Sequence, residues 1–385
     1  MTNKHKPIRF ILILLVMLLI CGAMYWAMSA PRYKTARQTV GGMLDFTGAD
    51  FSNDLFALNC EWEFYFDKLY TPADFAGGEP GASGEKSYIP VPLSWSDAGY
   101  PLYGCATYRL VIQTAEPELM ILIPQISDSS IVWINGQKVF EAGRPGRTKE
   151  ESVVSFRNSF VVFHPENGQA EIIVQASNSG WVGGGLHYAL EIGRPDNLLR
   201  DAMTRRIVLG LFIGALMIIG LYHAVLFLHS RKDWAYLTFF LFCFFASIRF
   251  SVETNGFAAL FLPGGMSVGL IRLNLLAMAM QTAALVAFIH TVFAIPITGR
   301  ARIAAYTLTF AITLLVLLLP YGTMDVRLAY IALIPLLIVL ADMVRAKRLK
   351  ENPYNILLIF SLVLFIVWGP VNRGLKTTPL TSASL

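Results

Sequence analysis

Charge is what this chain has least of. Charged residues fill only 15% of its 385 positions and apolar residues fill 55%, whereas an ordinary soluble domain carries about 25% charged residues. A deficit of that size excludes a chain lying wholly in water. The shortage is uneven: it falls on Ile8 to Met28 and on nearly everything after Arg206, while the middle holds ordinary amounts of Asp, Glu, Lys, Arg and Asn. Cysteine is scarce too, at four residues. Cys21 and Cys243 sit inside apolar runs, where a cysteine reads as a small buried hydrophobe. Cys60 and Cys105 sit in the middle, and a bond between them requires facing Cβ atoms, which the sequence leaves open. His5, His164 and His187 stand apart from any Cys, Asp or Glu at ligand spacing, so no metal site and no cofactor is expected. HExxH is absent, and so is any Ser or Asp pair at catalytic spacing. No run of intramembrane carboxylates and no matched pair of broken helices suggests a pump or transporter.

What is present is a set of long apolar runs. A spanning helix needs about 20 mostly apolar residues, and spans are expected near 9–28, 206–228, 234–251, 271–294, 302–320, 327–344 and 354–371. Basic residues in short loops mark the cytoplasmic side. Lys4, Lys6 and Arg9 therefore place the N-terminus inside, and HSRKD, TGRAR and VRAKRLKEN follow as inner loops. The two connections left to face outward, VETNGFAALFLPGGMSVG and YGTMD, contain no Lys or Arg. The net charge of +5 is thus accounted for by topology, and no nucleic-acid partner is called for. The first run can be read as a retained anchor or a cleaved signal; its apolar stretch is longer than the 7–15 residues of a usual signal core, which favours the anchor.

Between these regions the apolar period changes to two. Tyr108, Leu110 and Ile112 alternate with Arg109, Val111 and Gln113, the pattern of a half-buried strand. Similar runs recur in EWEFYF, SYIPV, ELMILIP, SIVWI, QKVF, SFVVF, EIIVQA and HYALEI, and Asn135-Gly136 is a hairpin signal of the type I′ kind. Eight or nine short strands divided by Gly, Pro, Asn and Asp predict an antiparallel jelly-roll sandwich. The expected division is a cytoplasmic start at 1–8, an anchor or signal at 9–28, a linker at 29–40, the β-sandwich at 41–193, a linker at 194–205, a six-helix membrane bundle at 206–371 and a short tail at 372–385.

The succession CEWEFYFDKLYTP, VPLSWSDAGYPLYGCATYRL, ISDSSIVWINGQKVFEAGRPG and EIIVQASN resembles the galactose-binding-like β-sandwich. In particular it is similar to the extracellular domain of the bacterial seven-transmembrane receptors with diverse intracellular signalling modules (7TMR-DISM). The stretch IVLGLFIGALMIIGLYHAVLFLHSRKDWAYLTFFLFCFF resembles the start of the same family's membrane module. The resemblance implies seven spans after the sandwich and then a cytoplasmic kinase, cyclase or phosphatase. Six are counted here, which implies a chain without the family's last helix and output domain.

Sugar sites combine an aromatic face with fixed polar groups. On that chemistry the candidate ligand residues are Trp95, Tyr100, Tyr103, Arg144, Asn178, Trp181 and His187. SNSGWVGGGLHY is the leading segment, because three glycines would leave backbone N–H groups accessible. Trp62 and Trp133 are expected in the core, and Arg109 is expected as a solvated or paired surface residue. Within the spans, His223, Arg249, Glu253, Asn274, Gln281 and His290 are costly if unpaired. Arg249 and Glu253 are four apart and suited to pair; His223 and His290, near helix ends, need only a carbonyl partner or snorkelling. Gly210 and Gly214 form GxxxG, read as packing within the bundle ahead of a dimer face.

The expected function is a sensor without a catalytic domain in the bacterial cytoplasmic membrane. Its sandwich would bind a small extracellular ligand, carbohydrate being the first candidate, and its surroundings would be lipid, with a homodimer left open. The alternatives are a surface scaffold that docks a protein and, less favoured, a membrane enzyme or transporter.

Overall fold

The computed structural model describes residues 33–35, 41–78, 80, 86–180, 183–253, 267–293, 299–318 and five positions between 334 and 341. The spans expected at 9–28 and 354–371, and nearly all of 327–344, lie outside the described residues. Among the described residues, twelve strands precede the long helices: β1 (Tyr33–Thr35), β2 (Met43–Asp45), β3 (Leu55–Ala57), β4 (Glu61–Phe66), β5 (Ser87–Pro90), β6 (Gly104–Gln113), β7 (Leu119–Ile123), β8 (Ser129–Ile134), β9 (Gln137–Ala142), β10 (Ser159–Phe163), β11 (Gln169–Asn178) and β12 (Glu191–Gly193). A short helix, α1 (Pro72–Phe75), sits between β4 and β5.

The strands form two sheets. One runs β5-β4-β6-β11-β8-β9, with β2 lying parallel to β6 beyond the reach of β4; the other runs β1-β3-β12-β7-β10. The predicted alternation places Tyr108, Leu110 and Ile112 fully inside, where they meet Ile172, Val174, Val132, Ile121 and Ile123 in one core. Each such aliphatic side chain contributes about 1.5–3 kcal/mol by leaving water. Asn135 (φ 49°) and Gly136 (φ 76°) both adopt the left-handed conformation that a type I′ hairpin between β8 and β9 demands. The short strands β1, β2 and β3 have no sequence signal of their own, because three residues cannot display a period.

One expectation about side chains needs correction, and the question of a Cys60–Cys105 bond is answered. Trp62 is fully buried, but Trp133 is only half-buried, since Val132 and Ile134 on either side of it take the inner face of β8. Cys60 and Cys105 are free thiols. The β4–β6 register sets Phe66 against Ala106, so Cys105 lies beside Asp67, some seven positions and about 23 Å along the strand from Cys60. Arg109 is a paired surface residue, bonded to Glu63 (3.0 Å) and Glu171 (2.7 Å). Its guanidinium lies 5.0 Å from the Phe75 ring centroid.

Among the described residues, helices with defined bounds follow as α2 (Pro195–His229), α3 (Trp234–Glu253), α4 (Ser267–Phe293) and α5 (Gly299–Leu318). Three of them are long and apolar enough to cross a membrane, over Pro195–His229, Trp234–Val252 and Gly269–Val292, and Ile303–Leu315 is a shorter apolar helix. Residues 195–205, expected as a linker, are instead the first turns of α2, entered directly from β12 with Pro195 at the first helical turn. Leu198 on that turn is fully buried against Leu55 and Met120 of the sandwich. The linker expectation failed because a polar face next to water hides a helix whose other face is pinned to protein.

Candidate functional site

The β6–β11 pairing decides which loops meet. Gly104 at the start of β6 lies opposite Asn178 at the end of β11, and Ser177 lies opposite Ser129 of β8. The connections 91–103 and 179–190 therefore leave the sandwich at the same end. Backbone bonds join them: Leu93 N–H donates to Leu186 O (3.0 Å) and Trp95 N–H to Gly184 O (3.0 Å). The Leu102 carbonyl then accepts from both Trp95 Nε1 (3.1 Å) and Asn178 Nδ2 (2.9 Å).

This bracing changes what the candidate residues can do. Trp95 has no exposed face to offer, for it is fully buried in the core with Phe66 edge-on at 5.8 Å. Asn178 is buried and committed to Leu102. Tyr100 stacks on Phe66 at 5.1 Å and donates to Ser87 Oγ (2.9 Å), so it too packs against the core. Gly183, Gly184 and Gly185 are buried, and the Gly185 N–H is already committed to Ser127 Oγ (3.2 Å). Their smallness serves contact. A Cβ at Gly184 would lie 2.0 Å from Trp95 Cε2, and one at Gly185 would lie 2.4 Å from the Tyr108 hydroxyl. His187 Nε2 sits 2.6 Å from Gly183 O. Burial pushes the His187 imidazole below its usual range, against the opposing pull of Gly183 and Asp97, which favours the neutral ring. Trp181 lies outside the described residues.

Tyr103 remains as an outward group, 54% exposed. Tyr188, which the sequence reading passed over, is 44% exposed on the facing loop. Arg144 is exposed on the connection after β9, with Nε donating to Glu151 O (3.2 Å). That connection belongs to the same end of the sheet, because Gly146 N–H reaches Ser177 Oγ (3.4 Å).

Asp128 was also missed. It is fully buried, and Oδ2 accepts from Ser179 N–H (2.8 Å), Gly180 N–H (2.9 Å) and Ser179 Oγ (3.1 Å). A buried carboxylate needs such donors, and here they fix the chain as it enters the loop that follows β11. Ser127, at φ 46°, turns the backbone so that Asp128 points inward. The sequence signal was faint: an Asp within ISDSS reads as an ordinary turn.

In the helices, His223 Nδ1 lies 2.8 Å from Ile219 O, the carbonyl partner expected. His290 Nδ1 meets the Tyr306 hydroxyl at 3.1 Å. Arg249 lies 5.8 Å from the Phe250 ring centroid, and the Glu253 side chain is outside the description. Asn274 and Gln281, seven apart on one face of α4, have acceptor oxygens with no partner among the described residues. Of the glycines, Gly214 faces open space, while Gly220 makes the close approach, a Cβ there lying 3.0 Å from Cys243 Cβ. Among the described residues no group of three or more potential metal ligands occurs.

Comparison with solved structures finds the GH2 β-galacturonidase of Eisenbergiella tayi bound to glycerol, at 18% identity and a TM-score of 0.26, over 37% of this chain and 24% of that one. It also finds the β-glucuronidase of Ruminococcus gnavus in complex with uronic deoxynojirimycin, at 13% identity and a TM-score of 0.28, over 36% and 28%. The match thus spans about a quarter of the length of those chains. Comparison with curated proteins gives no match. The family model described as 7TM diverse intracellular signalling matches residues 205–380. A β-sandwich thus precedes apolar helices that fall in the matched stretch, and residues 205–380 of this multi-pass membrane protein are a membrane module of the 7TM diverse intracellular signalling family.

Proposed function

We propose that this chain is the sensing part of a bacterial signal-transduction protein of the cytoplasmic membrane. Its sandwich lies outside and binds a small ligand, carbohydrate being the leading class, and the helices relay occupancy toward a kinase- or cyclase-type output. One observation supports this reading above the others: α2 runs 35 residues without a break from the last strand of the sandwich into the family's membrane module. Any shift of the sandwich is passed to a stiff rod, with no flexible linker to absorb it. The orientation rests on the basic inner loops, and the ligand class rests on the chemistry of Tyr103 and Tyr188. Both are exposed rings on loops braced from behind, and such rings stack on the apolar faces of sugars.

A ligand can shift such a module only through unequal affinity for its two states. Full-length protein in nanodiscs, titrated calorimetrically with neutral and acidic oligosaccharides, should give heat and a raised sandwich melting temperature with one class. Tyr103→Ala and Tyr188→Ala should weaken that response at least tenfold. No heat and no thermal shift across the panel would reject direct sensing and turn attention to a protein partner, sought by pull-down with the same protein.

A further inference from the structure

Four polar side chains from three elements meet where α2 leaves the sandwich. Tyr33 of β1 donates its hydroxyl hydrogen to Asp201 Oδ2 (2.7 Å) and accepts from Arg205 Nη2 (2.6 Å). The same nitrogen lies 2.9 Å from Glu191 Oε2 of β12 and 3.0 Å from Asp201 Oδ2. The guanidinium lies 5.4 Å from the Tyr33 ring centroid. Burial, followed by the neighbouring Glu191, pushes the Tyr33 phenol well above its usual range, so the hydroxyl keeps the proton it donates.

Earlier on α2 the attachment is of another kind. Leu198 is fully buried, Asn197 Nδ2 donates to Phe51 O (3.0 Å) and Ser52 O (2.7 Å), and Arg194 pairs with Glu116 at 2.9 Å. Leu198 and Arg205 are two turns, about 10 Å, apart along the axis. The first joins a buried apolar contact at Leu198 to the Asn197 hydrogen bonds and the more exposed Arg194–Glu116 pair. The second is polar, with side-chain exposures of 39% for Arg205, 11% for Asp201 and 21% for Glu191. One guanidinium nitrogen there meets both carboxylates, so its departure breaks both contacts together.

We propose that Tyr33, Glu191, Asp201 and Arg205 form a releasable latch that fixes the angle of α2 against the sandwich, with the buried contact at Leu198 as the pivot. When Arg205 is released, α2 swings about Leu198 and carries the membrane module with it. What releases the latch rests on the sensing reading above; the latch itself does not, because it can be tested without any ligand. The buried contact at Leu198 slides at little cost, whereas three directional bonds between α2 and the strands, Tyr33 to Asp201, Arg205 to Tyr33 and Arg205 to Glu191, hold a single angle.

The test is double electron–electron resonance on full-length protein in nanodiscs. Spin labels are placed at Lys138→Cys on β9 and Leu211→Cys on the exposed face of α2, with the native cysteines replaced by serine. The unmutated latch should give one narrow distance distribution. Arg205→Ala should shift the mean by about 5 Å or add a second peak, since tilting a rod some turns from its pivot displaces its far end by ångströms. Tyr33→Phe, which keeps the ring and removes only the hydroxyl, should broaden the distribution by less. An unchanged distribution in Arg205→Ala would overturn the proposal, because the pivot alone would then set the angle. So would a changed distribution accompanied by loss of cooperative melting of the sandwich in both variants, which would make the cluster a prop of the fold. Failure of the sugar titration would leave these outcomes untouched, and the converse holds.

Discussion

The sandwich and the helices treat the same side chains in opposite ways. Leu110, Ile112 and Ile172 are fully buried in the sandwich, whereas Leu211 and Ile218 of α2 stand 70% exposed. In water, the sandwich chain gains by hiding every aliphatic group. A helix in lipid gains nothing by hiding them, since hydrocarbon tails are as apolar as leucine. The two regions therefore depend on different contacts, large side chains in one and small ones in the other. Trp62, Trp95 and Phe64 fill the sandwich, while the closest helix approach noted above is at Gly220.

Four substitutions or conditions would break or sharpen that contrast. Trp62→Ala should have the largest effect, costing about 3–5 kcal/mol of sandwich stability in urea unfolding; the paired control, Leu211→Ala, should stay within about 0.5 kcal/mol. Next, Gly184→Ala drives a methyl into Trp95 and should cost about 1–3 kcal/mol, read as a lower melting temperature with loss of near-ultraviolet circular dichroism. In the membrane module, Gly220→Val should cost about 1–2 kcal/mol in a detergent-denaturation assay. Gly214→Val, facing open space, should cost almost nothing, and equal effects at the two glycines would refute the α2–α3 packing described. The smallest effect concerns pH. Because the folded His187 imidazole lies below its ordinary value of 6.5, the unfolded chain takes up a proton that the folded chain refuses. Sandwich stability should then fall as pH drops through about 6.5 and below, and His187→Gln should remove that part of the slope while leaving stability at pH 8 nearly unchanged.

Much of the sandwich could be read in advance, because a strand buried on one face writes its period into the chain. EWEFYF matches β4 residue for residue, and Asn135-Gly136 turns as its composition requires. The candidate site was less legible. Trp95 has the chemistry of a sugar-stacking ring and does lie in a loop, but loops can fold inward, and only the pairing of Gly104 with Asn178 reveals that the 183–185 backbone covers the indole. Asp128 looked like a turn residue because the donors that justify burying it come from Ser179 and Gly180, some fifty residues further along.

Sequence by itself determined the solvent of each region: scarcity of charge, run length and periodicity respond to local free energies of transfer, and these depend on residues within one turn or one strand. The tertiary structure alone decided which glycine lets helices touch, which aromatic rings remain outside, and that residues 195–205 are a braced helix rather than a tether. Those outcomes depend on partners distant in the chain: Tyr33 and Arg205 are separated by 172 residues and meet only when β1 and α2 pack on the same sheet.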